Sequence, residues 1–154
     1  MIIFRNNGAI GALLDEYERA IIDLKMVVEK VSSEELVKVI DAETENSACK
    51  SIQTILTHVS RAGHRYVVEA RNVQGEENAF PEEKLFDTIE KYQTELDNMF
   101  KYTEKLFDDY PEMDLYKKVD IRWKQIVNLD LLFEHTIVHV LRHRRQIERF
   151  LSVM

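Results

Sequence analysis

With one cysteine, two prolines, four glycines and one tryptophan in 154 residues, the chain lacks the raw material of several protein classes. Cys49 stands alone, so no intramolecular disulfide can form, and a reducing cytoplasm is the simplest compartment. So few turn formers, in a sequence rich in Leu, Glu, Lys and Ile, argue against a many-stranded sheet and for long helices. No apolar run approaches the roughly 20 residues needed to cross a bilayer, so no membrane partner is expected. The start lacks a basic segment followed by a long apolar core, which predicts no signal peptide. Positive charge is in deficit as well. A net charge of −7 argues against a general nucleic-acid binder, although it leaves room for a local basic patch.

What is present is helical periodicity. The length suits a single domain, 1–154. Ile10, Leu13, Leu14, Tyr17, Ile21, Leu24, Val28 and Val31 recur at three- and four-residue steps, predicting an amphipathic helix over 8–31. The polar stretch 32–50 suits a short helix or turn. A second long helix is predicted over 50–71, buried through Ile52, Ile55, Leu56, Val59, Ala62, Tyr66 and Val67. Gly75 marks a loop, and Pro81 suits the first turn of a third helix that uses Leu85, Ile89, Tyr92, Leu96, Met99, Phe100, Leu106 and Phe107. That helix should stop before Pro111. A longer connection holding Met113, Leu115, Tyr116, Val119 and Trp123 leads to a last helix over 125–153. The fold class expected is all-α, a four-helix bundle with a longer connection before the last helix.

The last helix carries a histidine ladder, His135-x3-His139-x3-His143. Residues four apart share one helix face, so two of these imidazoles can grip one ion. At about 100° per residue, Leu129, Leu132, Phe133, Thr136, Val140, Ile147, Phe150 and Leu151 form the apolar stripe. His143 then lies just inside its edge, His139 about 40° further round, and His135 about 40° beyond that. His58 falls beyond one edge of the apolar face of the 50–71 helix, and His64 on the opposite flank. His135 to His143 is about 12 Å along the axis, too long for all three to hold one ion. The pair His139/His143 with His58 is therefore the expected metal set, provided that the two helices are neighbours. Three neutral imidazoles add no negative charge, so zinc would stay a strong Lewis acid with positions open for water or substrate. Nickel, iron, manganese or cobalt would suit imidazole too. Histidine pairs at this spacing also arise by chance.

His139-Val-Leu-Arg-His143-Arg-Arg-Gln146-Ile147, preceded by Glu134-His135, resembles the C-terminal signature of the DinB-like (YfiT-like) superfamily. Ile55-Leu56-Thr57-His58-Val59 resembles its segment in the second helix. The helix order matches over most of the chain, while the motifs cover residues near 55–66 and 134–151. Many members have Gly where this chain has Arg145. The resemblance implies a DinB/YfiT-type four-helix bundle with a tri-histidine divalent metal site at His58, His139 and His143. It further implies enzymes such as bacillithiol S-transferases and the mycothiol-dependent maleylpyruvate isomerase, in which the metal activates a low-molecular-weight thiol.

Neighbouring residues offer supporting roles. His135 could act beside the metal set, as a substrate contact, or as an ordinary surface histidine. Arg142 could pair with a carboxylate of a small-molecule substrate or thiol, though a solvated arginine is the simpler reading. Gln146 could orient a ligand or cap the core margin. Glu69 could hydrogen-bond a ligand imidazole or act as base, but an Arg65–Glu69 helix pair explains both residues more cheaply. Trp123 could line a pocket or anchor the core. No base is identifiable beside Cys49, and Arg142-His143-Arg144-Arg145 reads as a helix face. Three functions remain open: a metal-dependent thiol transferase, a metal-dependent hydrolase of a small substrate, and a non-catalytic metal- or ligand-binding bundle. An uncovered apolar face could also support a homodimer.

Overall fold

The burial pattern that sorts the sequence into helices also decides how they pack. In the computed structural model, which describes residues 3–121 and 125–154, the chain is mainly helical. Its helices are α1 (Gly8–Val28), α2 (Ser33–Val37), α3 (Ile52–Val73), α4 (Ile89–Asp109) and α5 (Leu129–Val153), with a 3-10 turn at Ser47–Cys49. A hairpin of β1 (Lys118–Ile121) and β2 (Gln125–Asn128) precedes α5. α1 packs against α4 and α5, and α3 packs against the same two, which puts α1 and α3 on opposite sides of one core. Leu24, Leu56, Tyr92, Leu96 and Leu129 are among its fully buried members. Each such side chain removed from water stabilises the fold by about 1.5–3 kcal/mol before entropy is counted. No helix among the described residues is long and apolar enough to cross a membrane.

Local chemistry sets the ends of α3, the helix that carries His58. The Ser51 side chain accepts a hydrogen bond from the Thr54 N–H (3.1 Å), and Thr54 Oγ1 accepts one from the Ser51 N–H (3.0 Å). This reciprocal cap satisfies two amides that the first helical turn leaves without partners. Midway along the helix, Gly63 permits close packing. A Cβ added there would lie 2.1 Å from Met99 Sδ of α4 and 2.9 Å from Tyr17 Oη of α1.

Three expectations are corrected. Pro81 is not in a first helical turn: α4 begins at Ile89, capped by the side chain of Thr88. Residues 81–86 instead run along α3, which holds their carbonyls. Arg61 donates to Pro81 O, Thr57 to Lys84 O and Gln53 to Phe86 O. The all-α expectation gives way at the connection before the last helix, where a hairpin forms in register Val119↔Val127 and Ile121↔Gln125. Val119 and Ile121 are buried between exposed Lys118 and Asp120, the two-residue alternation of a half-buried strand. Consequently the last helix starts at Leu129 and not at 125, because Gln125–Asn128 is spent on pairing. Trp123 lies outside the described residues.

Candidate metal centre

α3 and α5 lie side by side, and their facing margins bring three histidines together. His58 comes from α3, while His139 and His143 come from successive turns of α5. One ring nitrogen from each lies within 4.8 Å of the others. His58 Nε2 and His139 Nε2 are 3.0 Å apart. The ring centroids are separated by 4.9 Å for His58–His139, 5.0 Å for His58–His143 and 4.5 Å for His139–His143. Two imidazole nitrogens sharing one zinc ion can be at most about 4.2 Å apart, twice a bond of about 2.1 Å. The 3.0 Å between His58 and His139 lies inside that limit, and the 4.8 Å span of the three nitrogens lies slightly beyond it, so a bound ion would draw the rings closer.

The electrostatics also suit a cation ligand set. His139 and His143 are buried, and His58 is half-buried. Burial, reinforced by the surrounding histidines, pushes His139 down to about 2, so it is neutral throughout the physiological range. Burial lowers His143 too, partly opposed by its hydrogen bond to Gln146. That bond links His143 Nδ1 with Gln146 Oε1 at 3.0 Å. A carbonyl oxygen can only accept, so Nδ1 carries the proton and Nε2 keeps its lone pair. An outer partner that fixes the tautomer in this way is characteristic of metal-ligating histidine. The donors present fit a divalent ion.

No protein-family model and no curated protein matches this chain.

Around the histidines lies an open groove of about 1290 Å³. Its walls are α3, α5, the 81–85 segment, the 3-10 turn and Ile121 of the hairpin. His135 lines it but stays outside the three-nitrogen cluster. Its ring packs edge-on against Tyr66 (centroids 5.6 Å) and beside His139 (5.7 Å), and burial lowers its pKa. Gln146, besides holding His143, accepts a weak contact from the Cys49 thiol at 3.8 Å. Arg65 and Glu69 form the helix pair expected of them, at 2.9 Å. Glu69 is buried, which raises its pKa against the opposing pull of Arg65. Its Oε2 has no hydrogen-bond partner among the described residues. His64, on the far flank of α3, meets Glu95 at 3.0 Å and takes no part in the site.

Two contributions escape the reading of sequence alone. Tyr66, expected only as core, also packs edge-on against His139 (6.0 Å). Arg61, Arg145 and Arg149 line the groove. Helical spacing carried a signal for them: Arg61 follows His58 by three residues, and Arg149 follows Gln146 by three.

Proposed function

We propose that the chain is a DinB-like (YfiT-like) four-helix-bundle metalloprotein, a metal-dependent transferase that uses an activated low-molecular-weight thiol. The convergence of His58, His139 and His143 within 4.8 Å in the lining of a groove is the observation that carries this reading. Zinc is the first candidate, with nickel, iron, manganese and cobalt as alternatives. When bound, such an ion supplies Lewis acidity that lowers the pKa of a thiol in an open position. The chain's own residues do the rest. His58, His139 and His143 hold the ion, Gln146 keeps His143 in the ligating tautomer, and Tyr66 and His135 pack beside His139. The size of the groove suits transfer, which needs two ligands side by side. At about 1290 Å³ it exceeds the roughly 300–1,000 Å³ of a typical single-ligand pocket, leaving room for a thiol and an electrophile together.

Metal content per chain and turnover test the proposal together, on tag-free protein. One tightly held ion in wild type, lost in His139→Ala and retained in His135→Ala, is expected. The loaded protein should then consume an alkyl or aryl electrophile only when a thiol is supplied. Thiol-independent turnover would transfer the site to hydrolysis. Absence of any ion after incubation with zinc, nickel, manganese and anaerobic ferrous iron would leave a non-catalytic bundle.

A further inference from the structure

The chain is acidic overall, with a net charge of −7, yet the groove reverses that sign. Its lining includes five arginines and two glutamates, a surplus of three positive charges. The glutamates are already engaged, Glu69 by Arg65 at 2.9 Å and Glu83 by Arg61 at 3.4 Å. Elsewhere Arg5, Arg19, Arg71 and Arg144 each meet a carboxylate at between 2.6 and 3.7 Å. Arg142, Arg145 and Arg149 have no ion pair among the described residues, and all three line the groove. Arg144 provides the contrast on the same helix: outside the groove, it is paired with Asp23 and Glu148.

Positions 142, 145 and 149 are separated by three and four residues, so the guanidinium groups rise along one face of α5. They cover about 10 Å of helix axis. Like charges at this spacing repel one another, and no acidic side chain of α5 lies between them on that face. Arg142 adjoins His143, whereas Arg149 lies almost two turns beyond it toward the C-terminus. Guanidinium presents a planar fork of donors that matches carboxylate or phosphate oxygens. A cleft lined by one sign of charge also concentrates ligands of the other.

We propose that this arginine row is the anion-binding half of the groove, taking a small ligand with two or three carboxylate or phosphate groups. Its reactive end lies at the histidines and its anionic end at Arg145 and Arg149. This assignment rests on the groove being the substrate site, and it names the class of that substrate.

Calorimetric titration with tricarballylate and with tripolyphosphate tests it, using wild type, Arg145→Gln/Arg149→Gln, His139→Ala and Arg19→Gln as a surface control. Wild type should show saturable binding that weakens with salt. The double variant should bind roughly tenfold or more weakly, which corresponds to the loss of at least one charge-assisted contact. Arg19→Gln should bind as wild type does, and His139→Ala, which keeps the anionic end, should weaken binding less than the double variant does. Tighter binding of tricarballylate, the less charged probe, identifies the ligand's groups as carboxylate. Binding lost in His139→Ala but kept in the double variant would show chelation by a held metal and overturn the inference. No saturable binding in wild type, or equal weakening in Arg19→Gln, would overturn it as well. Metal content measured on the same samples separates the two claims. Arginine-dependent binding by a chain that holds no metal would remove the transferase reading and leave the anion site standing.

Discussion

At the scale of single residues, His139 concentrates the cost of the site. It is 9% exposed and surrounded by His58, His143, His135 and Tyr66. Without an ion, it is stable there only as neutral imidazole. On unfolding it regains an ordinary pKa of about 6.5 and takes up a proton in mild acid. Between about 2 and 6.5 the unfolded chain therefore binds more protons at this position, and stability falls as pH falls. In metal-free protein, going from pH 7 to pH 5 should cost about 2 kcal/mol through His139 alone. His143 and His135, whose pKa values are also lowered, push the same way. Urea denaturation of wild type and His139→Gln at both pH values checks this. The variant should lose about 2 kcal/mol less on acidification, and parallel losses in the two proteins would contradict the burial argument.

At the scale of elements, the histidines are placed by two helices whose ends have different origins. α3 begins at a reciprocal side-chain cap, so Ser51→Ala should cost about 1–2 kcal/mol. Ser51 lies about two turns before His58, and most of α3 is held by burial of Ile52, Ile55, Leu56 and Val59. Metal content should therefore be unchanged in this variant even as its urea midpoint falls. Loss of the ion along with stability would mean that the cap governs the orientation of α3. The cap itself was not read from sequence, because Ser51 and Thr54 sit inside a stretch where the helical pattern had already begun. The long helices and the His58/His139/His143 grouping were legible, since burial periodicity reports both which residues face inward and which lie at the margin. The hairpin was not legible. Four-residue strands alternate over too few positions to compete with the strong helical pattern downstream, and Gln125–Asn128 was absorbed into it. Pro81 misled for a related reason: its fixed φ suits a helix start, but Arg61, Thr57 and Gln53 hold its segment extended along α3.

At the scale of the whole molecule, the groove and the core share two helices. α3 and α5 bury Leu56, Val59, Leu132 and Val140 on their inner faces while their margins hold the histidines. An ion bound by both helices thus joins parts of the chain that are 81 residues apart at His58 and His139. The unfolded chain does not preserve that arrangement, so an ion held there would bind the folded state preferentially and its binding energy would add to folding stability. At a free metal concentration one hundred times the dissociation constant, the gain is about 2.7 kcal/mol. For a domain of this size that corresponds to a rise in melting temperature of roughly 5–10 °C. Thermal unfolding followed by circular dichroism, with and without added zinc, should show this rise in wild type and in Ser51→Ala. His139→Ala should show little or none, because a nitrogen contributed by α5 is gone. A rise of equal size in all three would place the ion elsewhere on the chain, and the coupling between α3 and α5 argued here would not exist.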